Sequence, residues 1–424
     1  MICVSSFAEE AAKPSLKWYG FVRTYFAFDT RESSAGTEDL YFYMPKDRSM
    51  VDGVDMNLVP SFRYASLTSR LGLDLVGVEA LGYKLGGKIE ADFYAGVSGV
   101  TGTAQLRLRQ AYATIAKNDR FWKIGQAWHP MAADLPDIFS LESGAPFGPF
   151  SRTPQVNFEW KIAGPWSLTA AAIWQMQYTS TGPKITKQDD GNYKYVETAS
   201  ADYIKYSCVP EFYLGFNCKG ETGLFRVGFD LLSIKPRNYN YDINTGKALK
   251  KVSDRLTTWN VFVYGQQRFG EWDAKLKVTF ANDGSHFNLV GGYGVSGINE
   301  SGSWNYLPTR TLAGWMTFCR KQKGCNWVPQ ILLGYSKIFG TADDLIDASL
   351  IGGTAFWGKN NAGSANRLFR VQPEILYNLG KLQFGLEYML TGVQYGKANA
   401  AKQPVTDLHW IFNNRIQGLV KFNF

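Results

Sequence analysis

Apolar and polar residues alternate with period two along most of this chain. Trp272, Ala274, Leu276, Val278 and Phe280 share one parity, and Asp273, Lys275, Lys277 and Thr279 share the other. Leu382, Phe384, Leu386, Tyr388 and Leu390 oppose Lys381, Gln383 and Glu387. Phe369, Val371, Ile375 and Tyr377 oppose Arg370, Gln372 and Glu374, with Pro373 as a blemish on the apolar face. A strand turns successive side chains to opposite faces, so each segment has one oily and one ionic side. The pattern predicts about sixteen strands, at 17–29, 57–78, 83–96, 106–116, 120–128, 153–162, 166–178, 205–217, 223–235, 256–269, 272–281, 309–320, 326–339, 368–378, 381–395 and 410–424.

The connections alternate as well. Short turns such as 81–82, 117–119, 270–271 and 379–380 take turns with long polar segments at 30–56, 97–105, 129–152, 179–204, 236–255, 282–308, 340–367 and 396–409. Nothing in a soluble sandwich forces one end to be short, whereas bacterial outer-membrane barrels have short periplasmic turns and long outer loops. The ionic faces carry too much charge for a small dry interior, and about sixteen strands enclose a lumen too wide for side chains to fill. The expected fold is therefore all-β, a transmembrane antiparallel barrel forming one domain over 17–424. Aromatic residues near strand ends fit the two membrane boundaries, with Trp18, Trp166, Trp272, Trp315 and Phe424 as the expected girdle. Phe424 closes an alternating segment in the manner of the assembly signal of such barrels.

Composition narrows the field. The chain has 424 residues, of which 19% are charged and 15% aromatic. Its mean hydropathy is −0.21, and no apolar run approaches the ~18 residues of a membrane helix. Its +8 formal charge is scattered among carboxylates rather than gathered in Lys/Arg blocks, which argues against nucleic acid as a partner. Residues 1–10 resemble the tail of a signal peptide, with a small-residue cleavage pattern at Ser6-Phe7-Ala8. The five cysteines do not form a disulfide framework. Cys319 and Cys325 flank a turn and could face each other across a hairpin.

The connection at 128–152 differs from the others. It holds four prolines, the apolar residues Met131, Leu135, Ile138, Phe139, Leu141, Phe147 and Phe150, and the acids Asp134, Asp137 and Glu142. Such a segment packs against something, and inside a wide barrel it narrows the lumen. Arg23, Arg70, Arg107, Arg109, Arg370 and Arg415 fall on polar faces. Facing a carboxylate-bearing loop, they predict a transverse field that favours anions. The alternative reading is mutual salt bridging that anchors the loop.

The stretches SRLGLDL (69–75), RLRQAYATI (107–115), WKIGQAW (122–128) and RTPQVNFEW (152–160) resemble the DcaP-like family of trimeric Gram-negative outer-membrane porins. The resemblance is local to about 69–160 and the terminal Phe. It implies a homotrimer of sixteen-stranded barrels in the outer membrane, in contact with lipid and lipopolysaccharide. It also implies an inward-folded third loop and a basic lumen for small anionic solutes. By motif position, Arg70, Arg107, Arg109, Gln126, Arg152 and Gln155 carry over as pore or loop-anchor residues.

The expected activity is passive diffusion, with no enzyme, cofactor or metal. A plugged, structural or adhesion barrel stays open as a rival, and so does a barrel hydrolase built on the neighbouring Ser285 and His286. The acids Asp189, Asp190, Asp343, Asp344 and Asp347 lack the spacing of a calcium-binding loop.

Overall fold

A computed structural model describes residues 14–96, 103–347 and 364–424. The signal-like segment 1–10, Cys3 and parts of the connections 97–105 and 340–367 lie outside the described residues. The wall comprises β1 (Ser15–Asp29), β2 (Ser61–Ala65 and Arg70–Ala80), β3 (Tyr83–Gly96), β4 (Ala104–Lys117), β5 (Arg120–Trp128), β6 (Arg152–Ala163), β7 (Trp166–Ile173) and β8 (Glu211–Lys219). It continues with β9 (Gly223–Ile234), β10 (Leu256–Phe269), β11 (Trp272–Asn282), β12 (Arg310–Arg320), β13 (Trp327–Gly340), β14 (Ala365–Leu379), β15 (Leu382–Ala398) and β16 (Pro404–Asn423). Each strand pairs antiparallel with its sequence neighbours, and β1 pairs with both β2 and β16. The sheet is thus a closed sixteen-stranded barrel.

The two halves of β2 count once because both pair with β1, and only residues 66–69 interrupt them. Closure places Phe21 opposite Asn423 and Asp29 opposite Arg415. The Phe424 N–H donates to Gly20 O at 3.1 Å.

The faces follow the alternation. Leu276, Val278, Leu386, Tyr388, Ile416, Val420 and Phe422 are exposed on the outer surface, while Lys277, Thr279, Glu387, Arg415 and Gln417 are buried on the inner one. An oily exterior around an ionic interior is the polarity of a membrane barrel. Pro373 lies on the outer face, and the pairing of β14 with β15 skips Gln372 and Pro373, where the ring offers no N–H.

Three expectations are corrected. Residues 202–207 form a short helix, with Cys208 in the left-handed region just after it, so the strand expected at 205–217 starts at Glu211. The last long connection shrinks to 399–403, because β15 and β16 extend beyond the barrel rim as a hairpin. Trp315 does not join the girdle. Trp18, Trp166, Trp272 and Phe424 are all more than 40% exposed, but Trp315 is 2% exposed and points inward. Around it Leu312, Met316 and Phe318 occupy one parity and Ala313 and Cys319 the other, so β12 has apolar residues on both faces and alternation alone did not orient it.

Val263 is an outward residue paired with Val227 and Val278 in the midst of that exterior. We expect Val263→Arg to cost about 2–4 kcal/mol in vesicle unfolding titrations if it sits near the bilayer midplane.

Candidate functional site: an arginine-lined constriction

After β5 the chain leaves the wall and turns into the barrel. His129 Nδ1 accepts the Met131 N–H at 3.1 Å and caps a 3-10 turn, Pro130–Ala132. Beyond it, 128–152 crosses the interior and packs on the inner faces of β9 and β11–β15. Phe147 occupies the space left by Gly334 of β13, where a Cβ would stand 2.6 Å from the ring. Gly148 lies against the Trp315 indole, which explains the inward turn of that residue. The Phe139 N–H donates to Glu374 at 3.2 Å, and its carbonyl accepts the Tyr25 hydroxyl at 3.1 Å.

Two of the loop acids, Asp134 and Asp137, pair with cations outside the expected set, and Glu142 meets one of the expected arginines. Asp134 pairs with Arg226 at 2.9 Å, and Asp137 with Lys275 at 3.0 Å and Lys321 at 3.3 Å. Glu142 lies 3.6 Å from Arg370, with both groups buried. Arg370 also donates to Ala145 O and to Tyr43 O, at 3.1 and 2.9 Å. Arg415 pairs with Asp29 at 2.9 Å and donates to Asp39 O. Arg370 and Arg415 are each only 1% exposed, so they fasten inner elements to the wall. Arg152, 2% exposed, rests on the Trp128 ring and braces the loop end. Gln155 donates to Trp128 O, and Gln126 to Leu108 O and Arg109 O.

A second inner element was not foreseen. Within the first long connection, Ser33–Gly36 and Tyr41–Pro45 form a hairpin whose Phe42 and Met44 are fully buried. The Phe42 ring lies between the Arg370 and Arg415 guanidinium groups, at 5.2 and 5.5 Å. The apolar run YFYMP inside a polar loop was the available signal.

Between the loop and β1–β4 lies a cavity of about 290 Å³. Arg23, Arg70, Arg107 and Arg109 line its wall side, with Glu90 and Asp92 of β3 as its only lining carboxylates among the described residues. The opposing loop face is largely apolar, through Leu135, Ile138, Phe139, Leu141 and Phe150. Arg107 grips Asp92 with two bonds of 3.0 Å. Arg109 bridges Glu90 at 2.7 Å and Asp92 at 2.6 Å. Arg70 stands 3.6 Å from Glu90. The Arg23 Nε donates to the Thr68 hydroxyl at 2.7 Å, and this guanidinium has no ion pair among the described residues. Four guanidinium groups against two carboxylates give the cavity a cationic lining.

Solved structures share this architecture. The outer membrane channel DcaP of Acinetobacter baumannii superposes with a TM-score of 0.67 at 20% identity, over 99% of this chain and 100% of that one. The chain has a porin fold. The anion-selective porin from Comamonas acidovorans matches at 0.54 and 10% identity, over 97% and 100%. The trimer form of OmpT from Vibrio cholerae matches at 0.51 and 12%, over 97% and 99%. No family model and no curated relative matches the chain.

The hydrolase rival lacks its geometry. Ser285 donates to Asp283 and accepts the Thr181 N–H, while His286 turns Nδ1 to Asp283 O and Nε2 toward Glu211. Both residues are buried. Cys319 and Cys325 are free thiols, because Cys319 lies opposite Gln330 in the register and its thiol contacts that side chain.

Arg370→Ala leaves Glu142 buried without its cation and frees two backbone carbonyls. A loss of about 3–5 kcal/mol in unfolding free energy is expected, together with larger, noisier single-channel current from the loosened loop.

Proposed function

We propose that the chain is an outer-membrane porin of a Gram-negative bacterium, a passive diffusion channel for small hydrophilic solutes that favours anions. The observation that carries the reading is the excess of guanidinium groups in the cavity left beside the inner loop. A passage with low-dielectric walls magnifies the field of fixed charge, so an anion gains and a cation loses on entry. The loop narrows the lumen without filling it, which favours a channel over a plugged or adhesive barrel.

In this reading the short turns face the periplasm. Trp18, Trp166, Trp272 and Phe424 mark that membrane boundary, each next to a short turn or at the same rim. Lipopolysaccharide and lipid surround the oily belt. A homotrimer is proposed on the likeness to the trimer form of OmpT. Arg70, Arg107 and Arg109 hold the β3 carboxylates and set the field together. Arg370, Arg415 and Arg152, with Asp134, Asp137 and Glu142, act by holding the loop in place.

Planar-bilayer recordings under a salt gradient test the proposal. Stepwise conductance with an anion-favouring reversal potential is expected, and its absence removes the channel reading. Arg23→Gln should shift the potential toward cations with little change in conductance, since this cation has no carboxylate to strand. Arg107→Ala with Arg109→Ala should shift it further, because Asp92 then loses both its cations and Glu90 keeps only Arg70. An unchanged anion/cation ratio in both variants shows that these arginines serve only as braces.

A further inference from the structure

At the root of the inner loop, four titratable side chains from four separate segments converge. His129 opens the loop, Glu211 begins β8, Asp230 lies in β9, and His286 sits in the turn Gly284–Phe287. All are at most 2% exposed. His129 Nε2 is 2.8 Å from Glu211 Oε1, and His286 Nε2 is 3.5 Å from the same oxygen. The donor atoms of His129, Glu211 and Asp230 lie within 4.8 Å of one another.

Three atoms of the group, His286 Nε2, Glu211 Oε2 and Asp230 Oδ1, are buried without a hydrogen-bond partner. Orphaned polar atoms are costly in a dry interior, and two adjacent carboxylates repel unless a cation or proton joins them. The His286 ring is pre-set for ligation: Nδ1 donates to Asp283 O at 2.8 Å, which leaves the Nε2 lone pair aimed at the group. His129 has the opposite tautomer. Its Nδ1 accepts the Met131 N–H, so Nε2 carries the proton and donates to Glu211. It therefore orients a ligand rather than acting as one.

We propose that His286, Glu211 and Asp230 bind one divalent transition-metal ion, with His129 holding Glu211 in position. One imidazole and two carboxylates suit zinc or manganese, and a fourth position stays open for water. Ligands of one ion at about 2.0–2.2 Å lie no more than about 4.4 Å apart; His286 Nε2 and Glu211 Oε1, 3.5 Å apart, meet that span, and Glu211 and Asp230 offer oxygens within 4.8 Å of each other. The ion would fasten β8 and β9 to the outer connection that carries His286, and through Glu211 and His129 to the first residue of the constriction loop. The proposal stands apart from the porin reading, because its readout is metal content and not current.

The test uses the full chain folded in detergent with ZnCl₂, separated from loose metal by gel filtration and assayed by mass spectrometry. About one zinc per chain is expected. His286→Gln and Asp230→Asn should each weaken zinc binding at least about tenfold, while His409→Ala, at the half-buried His409–Asp47 pair, should leave it unchanged. Heat-modifiable gel mobility confirms that each variant is folded. Zinc content equal in His286→Gln and the unaltered chain overturns the site. If the variants do not fold, thermal melts of the unaltered chain decide: a rise with zinc over EDTA supports the site, and equal midpoints overturn it.

Discussion

Neutralising the charge of the inner wall is the constraint on which this barrel depends. A membrane exterior forces the ionic parity of each strand inward, where an unpaired charge shielded from water is expensive. The chain meets that demand unevenly. Over β9 and β11–β16, inner elements bring carboxylates and carbonyls to Arg226, Lys275, Arg370 and Arg415. Beside β1–β4 the loop leaves a cavity in which, among the described residues, Glu90 and Asp92 of the wall are the only lining carboxylates against four guanidinium groups. The covered sector is a packed interior, while the other keeps a cavity lined by more guanidinium groups than carboxylates.

This division explains how much the sequence disclosed. Period-two alternation sees only one strand at a time. It oriented Trp272–Phe280 and the inward Arg370 and Arg415 because one parity there is plainly ionic. It did not orient Trp315, whose strand is apolar on both sides because a loop packs inside it. Parity places an arginine in the lumen but does not tell which sector the loop covers. Hence Arg23, Arg70, Arg107 and Arg109 line the cavity, whereas Arg370 and Arg415, alike in sequence, lie buried under inner elements.

The loop acids carry the same lesson. Asp134, Asp137 and Glu142 were legible as charges on an inward segment, and Arg370 beside Glu142 as an inward cation, but the partners of Asp134 and Asp137 were not, since Arg226, Lys275 and Lys321 are 92, 138 and 184 residues away. The spacing of apolar residues was the better guide. Phe139, Phe147 and Phe150 needed a wall to pack on, and Gly334 provides room for one of those rings. The inner hairpin at 33–45 was missed because strand logic treats long connections as solvated, although YFYMP is too apolar to remain so.

The loop presents a largely apolar face to the cavity arginines. A carboxylate there would pair with the opposing cations and cancel the field across the gap. Leu135, Ile138 and Leu141 instead supply a low-dielectric boundary that neither screens nor competes. The wall pairs within the cavity are also unequal. Asp92 accepts from both Arg107 and Arg109, and Glu90 from Arg109 with Arg70 nearby, so two anions are shared by three cations. Arg23 is left over, held by a neutral hydroxyl. The positive excess therefore resides in geometry and not in composition: a formal charge of +8 spread over 424 residues says little, while four guanidinium groups against two carboxylates beside an oily loop face leave the cavity lining cationic.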